Sequence, residues 1–132
     1  MRDLGCSVLA VAESLVERAD GTLDIVNIID RVVAAQFPAK VKRSSASLIA
    51  ILWGDQSQRE KCRLSIRHSE CEDRNYHVFG QSMGAKEIKT FGLDLVGFPF
   101  PGLYSFEIIM DSTLLARCSL VVELHRSHFG MG

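Results

Sequence analysis

A chain of 132 residues holds enough material for one packed core and too little for two. Hydrophobic residues at 47% and charged residues at 23% match globular averages and exclude disordered and fibrous classes. Fifteen basic against sixteen acidic side chains, with no long Lys/Arg stripe, exclude nucleic-acid binding driven by phosphate neutralisation.

The opening segment Leu4 to Val16 is apolar, but Asp3 spoils the basic start of a signal peptide, and Glu13, Glu17 and Arg18 follow without a small-residue cleavage site. Cys6 has no hydrophobic segment before it, which argues against a lipoprotein. No apolar run reaches the roughly 20 residues of a membrane span. The expectation is a cytoplasmic protein without membrane partners, its four cysteines Cys6, Cys62, Cys71 and Cys118 being free thiols.

Asp20-Gly21 is a hairpin signal joining Leu4 to Val16 with Leu23 to Val33, both rich in β-branched residues. In the second run Ile25, Ile28, Ile29, Val32 and Val33 also fit a helical template, so strand and helix both remain open there. Ala34 to Ser47, with Lys40, Lys42 and Arg43, reads as a solvated connection too short in charge for a nucleic-acid site. Ala46 to Trp53 is apolar on both alternating faces and fits a central strand covered on both sides. Lys61 to His68 alternates, with Cys62, Leu64 and Ile66 inward. The polar run Glu70 to Asn75 turns the chain into Tyr76 to Phe79, Gln81 to Ala85 is loop, and Glu87 to Val96 is extended.

Two prolines and a glycine in Phe98-Pro99-Phe100-Pro101-Gly102 forbid regular structure, and a strand starts at Leu103. Asp111-Ser112 turns it into Leu114 to Leu124, with Leu114, Ala116, Cys118, Leu120 and Val122 on one face. Eight extended segments at this spacing predict an all-β fold, an antiparallel two-sheet sandwich of about 7–8 strands, immunoglobulin-like or related. The Pro-Gly-x-Tyr entry to a late strand matches the corner of such sandwiches, where the tyrosine hydroxyl bonds back to nearby backbone. The sandwich is expected over residues 1–124 and a flexible tail over 125–132.

Two stretches carry a family resemblance: Ala19-Asp20-Gly21-Thr22-Leu23-Asp24-Ile25-Val26-Asn27-Ile28-Ile29-Asp30-Arg31 and Phe98-Pro99-Phe100-Pro101-Gly102-Leu103-Tyr104-Ser105-Phe106-Glu107-Ile108. With them the chain, from Leu4 to Val122, resembles an uncharacterised family of short single-domain bacterial proteins known only as a domain of unknown function. The resemblance implies a β-sandwich and brings no activity or binding residue with it. Asp111-Ser112 stands where the family pattern favours Asp-Gly, which bears on that turn alone.

Cys62, His68, Cys71 and His77 have the residue types of a zinc site. On one extended strand Cys62 and His68 are about 20 Å apart at roughly 3.3 Å per residue, so the metal candidates reduce to His68, Cys71 and His77 across a hairpin mouth. Cys71 beside His68 or His77 is the one candidate nucleophile pair, without an oxyanion device to accompany it. His125 and His128 fall in the expected tail. Asp20, Asp55, Glu70, Glu72, Asp73 and Asp111 lie at turns, and a calcium site would need several of them at one end of the sandwich. Of the aromatics, Trp53 and Tyr104 read as core, with Tyr76 as the third possible platform. Phe98 and Phe100, in a proline-constrained loop, either present an apolar patch to a partner or cap the core. A glycine-ended tail at Gly132 has no other ubiquitin-like feature beside it.

No coherent catalytic set emerges and no cofactor is implied. The expected function is a non-enzymatic protein-interaction module, self-associating or binding another protein, acting through sheet edges or the 97–102 loop. The alternatives are a metal-binding domain or metal-dependent enzyme built on the 68–77 hairpin, and a small-ligand-binding sandwich.

Overall fold

The computed structural model describes residues 4–42 and 45–125. β-branched and aromatic runs at period two form strands because alternate side chains then meet one buried face. Nine strands appear among the described residues: β1 Gly5–Glu17, β2 Leu23–Ile28, β3 Arg31–Ala34, β4 Ser47–Trp53, β5 Cys62–Arg67, β6 Arg74–Tyr76, β7 Lys86–Gly92, β8 Gly102–Met110 and β9 Thr113–Leu124. One sheet has the order β2-β1-β4-β7, and the other β3-β9-β8-β5-β6. The expected all-β two-sheet sandwich is therefore the fold. Every ladder is antiparallel except β3 with β9, which is parallel.

The core lies between the sheets. Val11, Leu48, Ala50 and Leu52 face Leu64, Ile66, Tyr104, Phe106, Ile108, Leu120 and Val122, all buried. Burying each large side chain of this set contributes about 1.5–3 kcal/mol. β4 is central in its sheet, and Leu48 to Leu52 are buried on both faces, as the doubly apolar pattern predicts.

Four local expectations need correction. Leu23 to Val33 is neither one strand nor a helix. Asn27 adopts a left-handed φ of 53°, Ile29 N–H bonds Val11 C=O at 2.7 Å, and the chain then crosses to the other sheet as β3. The connection after β3 is not simply solvated, since Ala39 and Ala46 are buried, Phe37 and Val41 pack on the core, and Ala39 pairs with Phe98 through two backbone bonds. The return strand of the second hairpin is Arg74–Tyr76 rather than Tyr76 to Phe79. In β9, a register shift between Ile108 and Ile109 leaves Leu114 45% exposed and lets Leu115 pack inward in its place.

One element had no sequence expectation. Gln56–Glu60 is a single helical turn, α1, and its Arg59 is fully buried. The guanidinium pairs with Glu87 on β7 and donates to Gly54 C=O at 3.1 Å and Gly84 C=O at 2.5 Å. Glu87 also accepts Gly80 N–H at 2.9 Å, so the pair ties the 80–85 loop to α1. The tail expected over 125–132 lies outside the described residues from position 126, and with it His128 and Gly132. His125 is exposed, with its backbone N–H held by Ala34 C=O.

Candidate functional site

The tyrosine corner forms as the Pro-Gly-x-Tyr pattern predicts. Tyr104 Oη donates to Phe100 C=O at 2.7 Å and accepts Phe100 N–H at 3.2 Å. Its ring meets Phe98 edge-on at 4.9 Å and His68 at 4.5 Å. Phe98 is fully buried, which removes it from any partner-binding patch; only Phe100, 40% exposed, remains available at the surface. Gly102 is required where it stands. Its φ is 125°, and a Cβ there would lie 3.0 Å from His68 Nε2.

His68 has both ring nitrogens engaged. Glu70 N–H donates to Nδ1 at 3.0 Å, and Nε2 lies 2.9 Å from Pro101 C=O, which can only accept. With Nδ1 accepting from Glu70 and Nε2 facing Pro101 C=O, the ring joins the β5–β6 turn to the 97–102 loop. Cys71 Sγ comes within 4.0 Å of Nδ1, but that lone pair is already used by Glu70 and is not free to take a thiol proton. His77 is exposed beyond β6 and does not join them. Among the described residues no three His, Cys, Asp or Glu side chains gather closely enough to hold a metal ion. The same holds for the turn acids. Asp20 folds onto Thr22, whose N–H and Oγ1 bond its carboxylate at 2.9 and 2.6 Å and hold its pKa below the usual range. Asp55 precedes α1, and Asp111 closes the β8–β9 turn with φ 55°.

The remaining thiols are poor nucleophiles. Burial pushes Cys62 and Cys118 up to about 11, and Cys6 also rises through burial. The folded chain therefore keeps protons that the unfolded chain releases above pH 9 or so, and stability falls as pH rises from there towards 11. Melting temperatures taken between about pH 8 and 10.5 should show this decline, and a Cys62→Val/Cys118→Val variant should show a shallower one. Identical slopes would count against burial as the cause.

A different feature takes shape beside β3. This strand ends the five-stranded sheet, with β9 on one side and, among the described residues, no strand on the other. Val121 N–H bonds Asp30 C=O at 3.0 Å, and His125 N–H bonds Ala34 C=O at 2.6 Å. Parallel ladders bond alternate residues to one side, so the backbone groups of Arg31 and Val33 point away from β9. No turn or loop bond takes them up among the described residues. Against this open edge lies a groove of about 710 Å³, within the range of binding clefts, with Ile29, Val32, Pro38 and Val41 among its apolar lining. Ala39 and Val41 turn towards the core, which leaves Lys40 and Lys42 exposed.

None of these groove residues was singled out as a site from the sequence. The alternation of Ala39 and Val41 with Lys40 and Lys42 is the sequence signal for them, masked by the polar, basic character of the segment. Tyr76 packs on the core and meets Phe91 at 5.5 Å, but Trp53, expected in the core, is exposed: at the end of β4 its indole N–H bonds Ser7 Oγ at 3.1 Å and its ring lies under Lys86. Among the described residues no helix is long and apolar enough to cross a membrane.

An immunoglobulin-like protein from Pseudomonas aeruginosa, known from a crystal structure, is similar at 10% sequence identity and a TM-score of 0.49, over 92% of this chain and 98% of that one. No curated protein matches the chain. A family model described as a family of unknown function, DUF6941, matches residues 7–123, which span nearly all of both sheets, and the chain belongs to that family.

Proposed function

We propose that the chain is a non-enzymatic protein-interaction module that receives an extended segment of a partner along the open edge of β3. The observation that carries this reading is the backbone of Arg31 and Val33, which points away from β9 and has no partner among the described residues, beside an apolar groove. Exposed strand edges are normally blunted by coverage, proline or extreme shortness, because they template pairing with another chain. An added strand gains main-chain hydrogen bonds from such an edge and specificity from the cleft beside it. The engaged state of His68 and the raised thiol pKa values support binding over catalysis.

Panning a displayed random octapeptide library on the full chain should enrich extended, apolar-containing peptides. Val33→Pro deletes one outward N–H without touching a ladder bond, and proline is tolerated at such edge positions. That variant should lose the enriched peptides while its circular dichroism stays unchanged. Equal enrichment by both proteins would overturn the proposal.

A further inference from the structure

We infer that the segment accepted at β3 is acidic as well as apolar, its carboxylates alternating with aliphatic side chains; this rests on the β3 edge being the docking site. Among the described residues three cations, Arg31, Lys40 and Lys42, and no Asp or Glu line the groove. The whole chain carries a net charge of −1, so this concentration of positive charge is local. Lys40 and Lys42 have no ion-pair partner among the described residues, whereas Arg31 pairs with Glu123 at 3.6 Å, so the two lysines carry the uncompensated charge.

The alternation of β3 sets the order of the partner's side chains. Val32 and Ala34 turn towards the core, and Arg31 and Val33 away from it. A strand added alongside repeats this alternation, with one set of side chains beside Val32 and the apolar lining and the other beside Arg31. The four residues of β3 span about 13 Å, so about four to six partner residues are read. A second copy of this chain is disfavoured as the occupant. Pairing β3 with its own symmetry mate would bring the two sets of three cations together, and like charges across an interface repel.

Fluorescence anisotropy with two labelled hexapeptides, one alternating valine with glutamate and one alternating valine with lysine, tests the inference. The glutamate peptide should bind at least about tenfold more tightly at low salt, and the difference should shrink as salt shortens the Debye length. Lys40→Glu/Lys42→Glu should reverse the preference, and Lys40→Gln/Lys42→Gln should abolish it; melting curves would confirm that both fold. Equal binding of the two peptides, or a lysine preference, lost in each case with Val33→Pro, would overturn the acidic partner and leave the β3 edge as the docking site. Binding that survives Val33→Pro, or none by either peptide at about 1 mM, would overturn both.

Discussion

Replacing Arg59 by alanine should lower the unfolding free energy by about 3–5 kcal/mol, the cost of stranding one partner of a buried ion pair. The guanidinium is fully buried and Glu87 nearly so, and among the described residues the arginine is the sole cation bonded to that carboxylate. Once it is removed, Glu87 keeps only the Gly80 N–H, in a place from which water is excluded. The carbonyls of Gly54 and Gly84 lose their donor as well. Because these partners come from both ends of the 80–85 loop, amide exchange there should accelerate more than in β4 or β8. Glu87→Gln should cost a comparable amount by leaving the arginine uncompensated, whereas Arg59→Met/Glu87→Leu should recover most of the loss by removing both charges. Urea titrations of the four proteins decide the matter. A loss below about 1 kcal/mol for Arg59→Ala would mean that water reaches the pair in solution.

How far the sequence speaks differs from place to place, for physical reasons. Strands such as β4, β5 and β8 are legible because burial acts on each side chain separately, and period-two alternation records which face is dry. The corner at Tyr104 is legible because two prolines and a glycine leave few backbone options. Arg59 is not. Gln56 to Glu60 is wholly polar, and its burial is decided by Glu87, 28 residues further on, which no local pattern reports. β3 is illegible for another reason: Val32 and Val33 extend the β-branched run of β2, so a change of sheet between Ile29 and Arg31 looks like one continuous strand. The groove is illegible for the same reason, since an edge strand is defined by what does not pair with it.

Phe98 shows the limit most directly, and it sets the second large effect. Phe98→Ala should destabilise the chain by about 3–5 kcal/mol, the range for emptying a buried aromatic site, while Phe100→Ala should stay within about 1 kcal/mol. From the sequence the two rings are equivalent, each preceding a proline in the same loop. The fold separates them: Phe98 pairs its backbone with Ala39 and turns its ring onto Tyr104, while Phe100 uses its backbone to bond the Tyr104 hydroxyl and leaves its ring near His68 and solvent. Tyr104→Phe removes both bonds to Phe100 but keeps the ring, so it should cost about 1–2 kcal/mol. The ordering Phe98→Ala, then Tyr104→Phe, then Phe100→Ala is therefore the signature of a loop that closes the core. Since Ala39 leads directly into Lys40 and Val41 of the groove, Phe98→Ala should also weaken peptide binding at β3, and Phe100→Ala should leave it intact. Near-equal small losses for the two phenylalanines would instead return the loop to the role of an apolar patch offered to a partner.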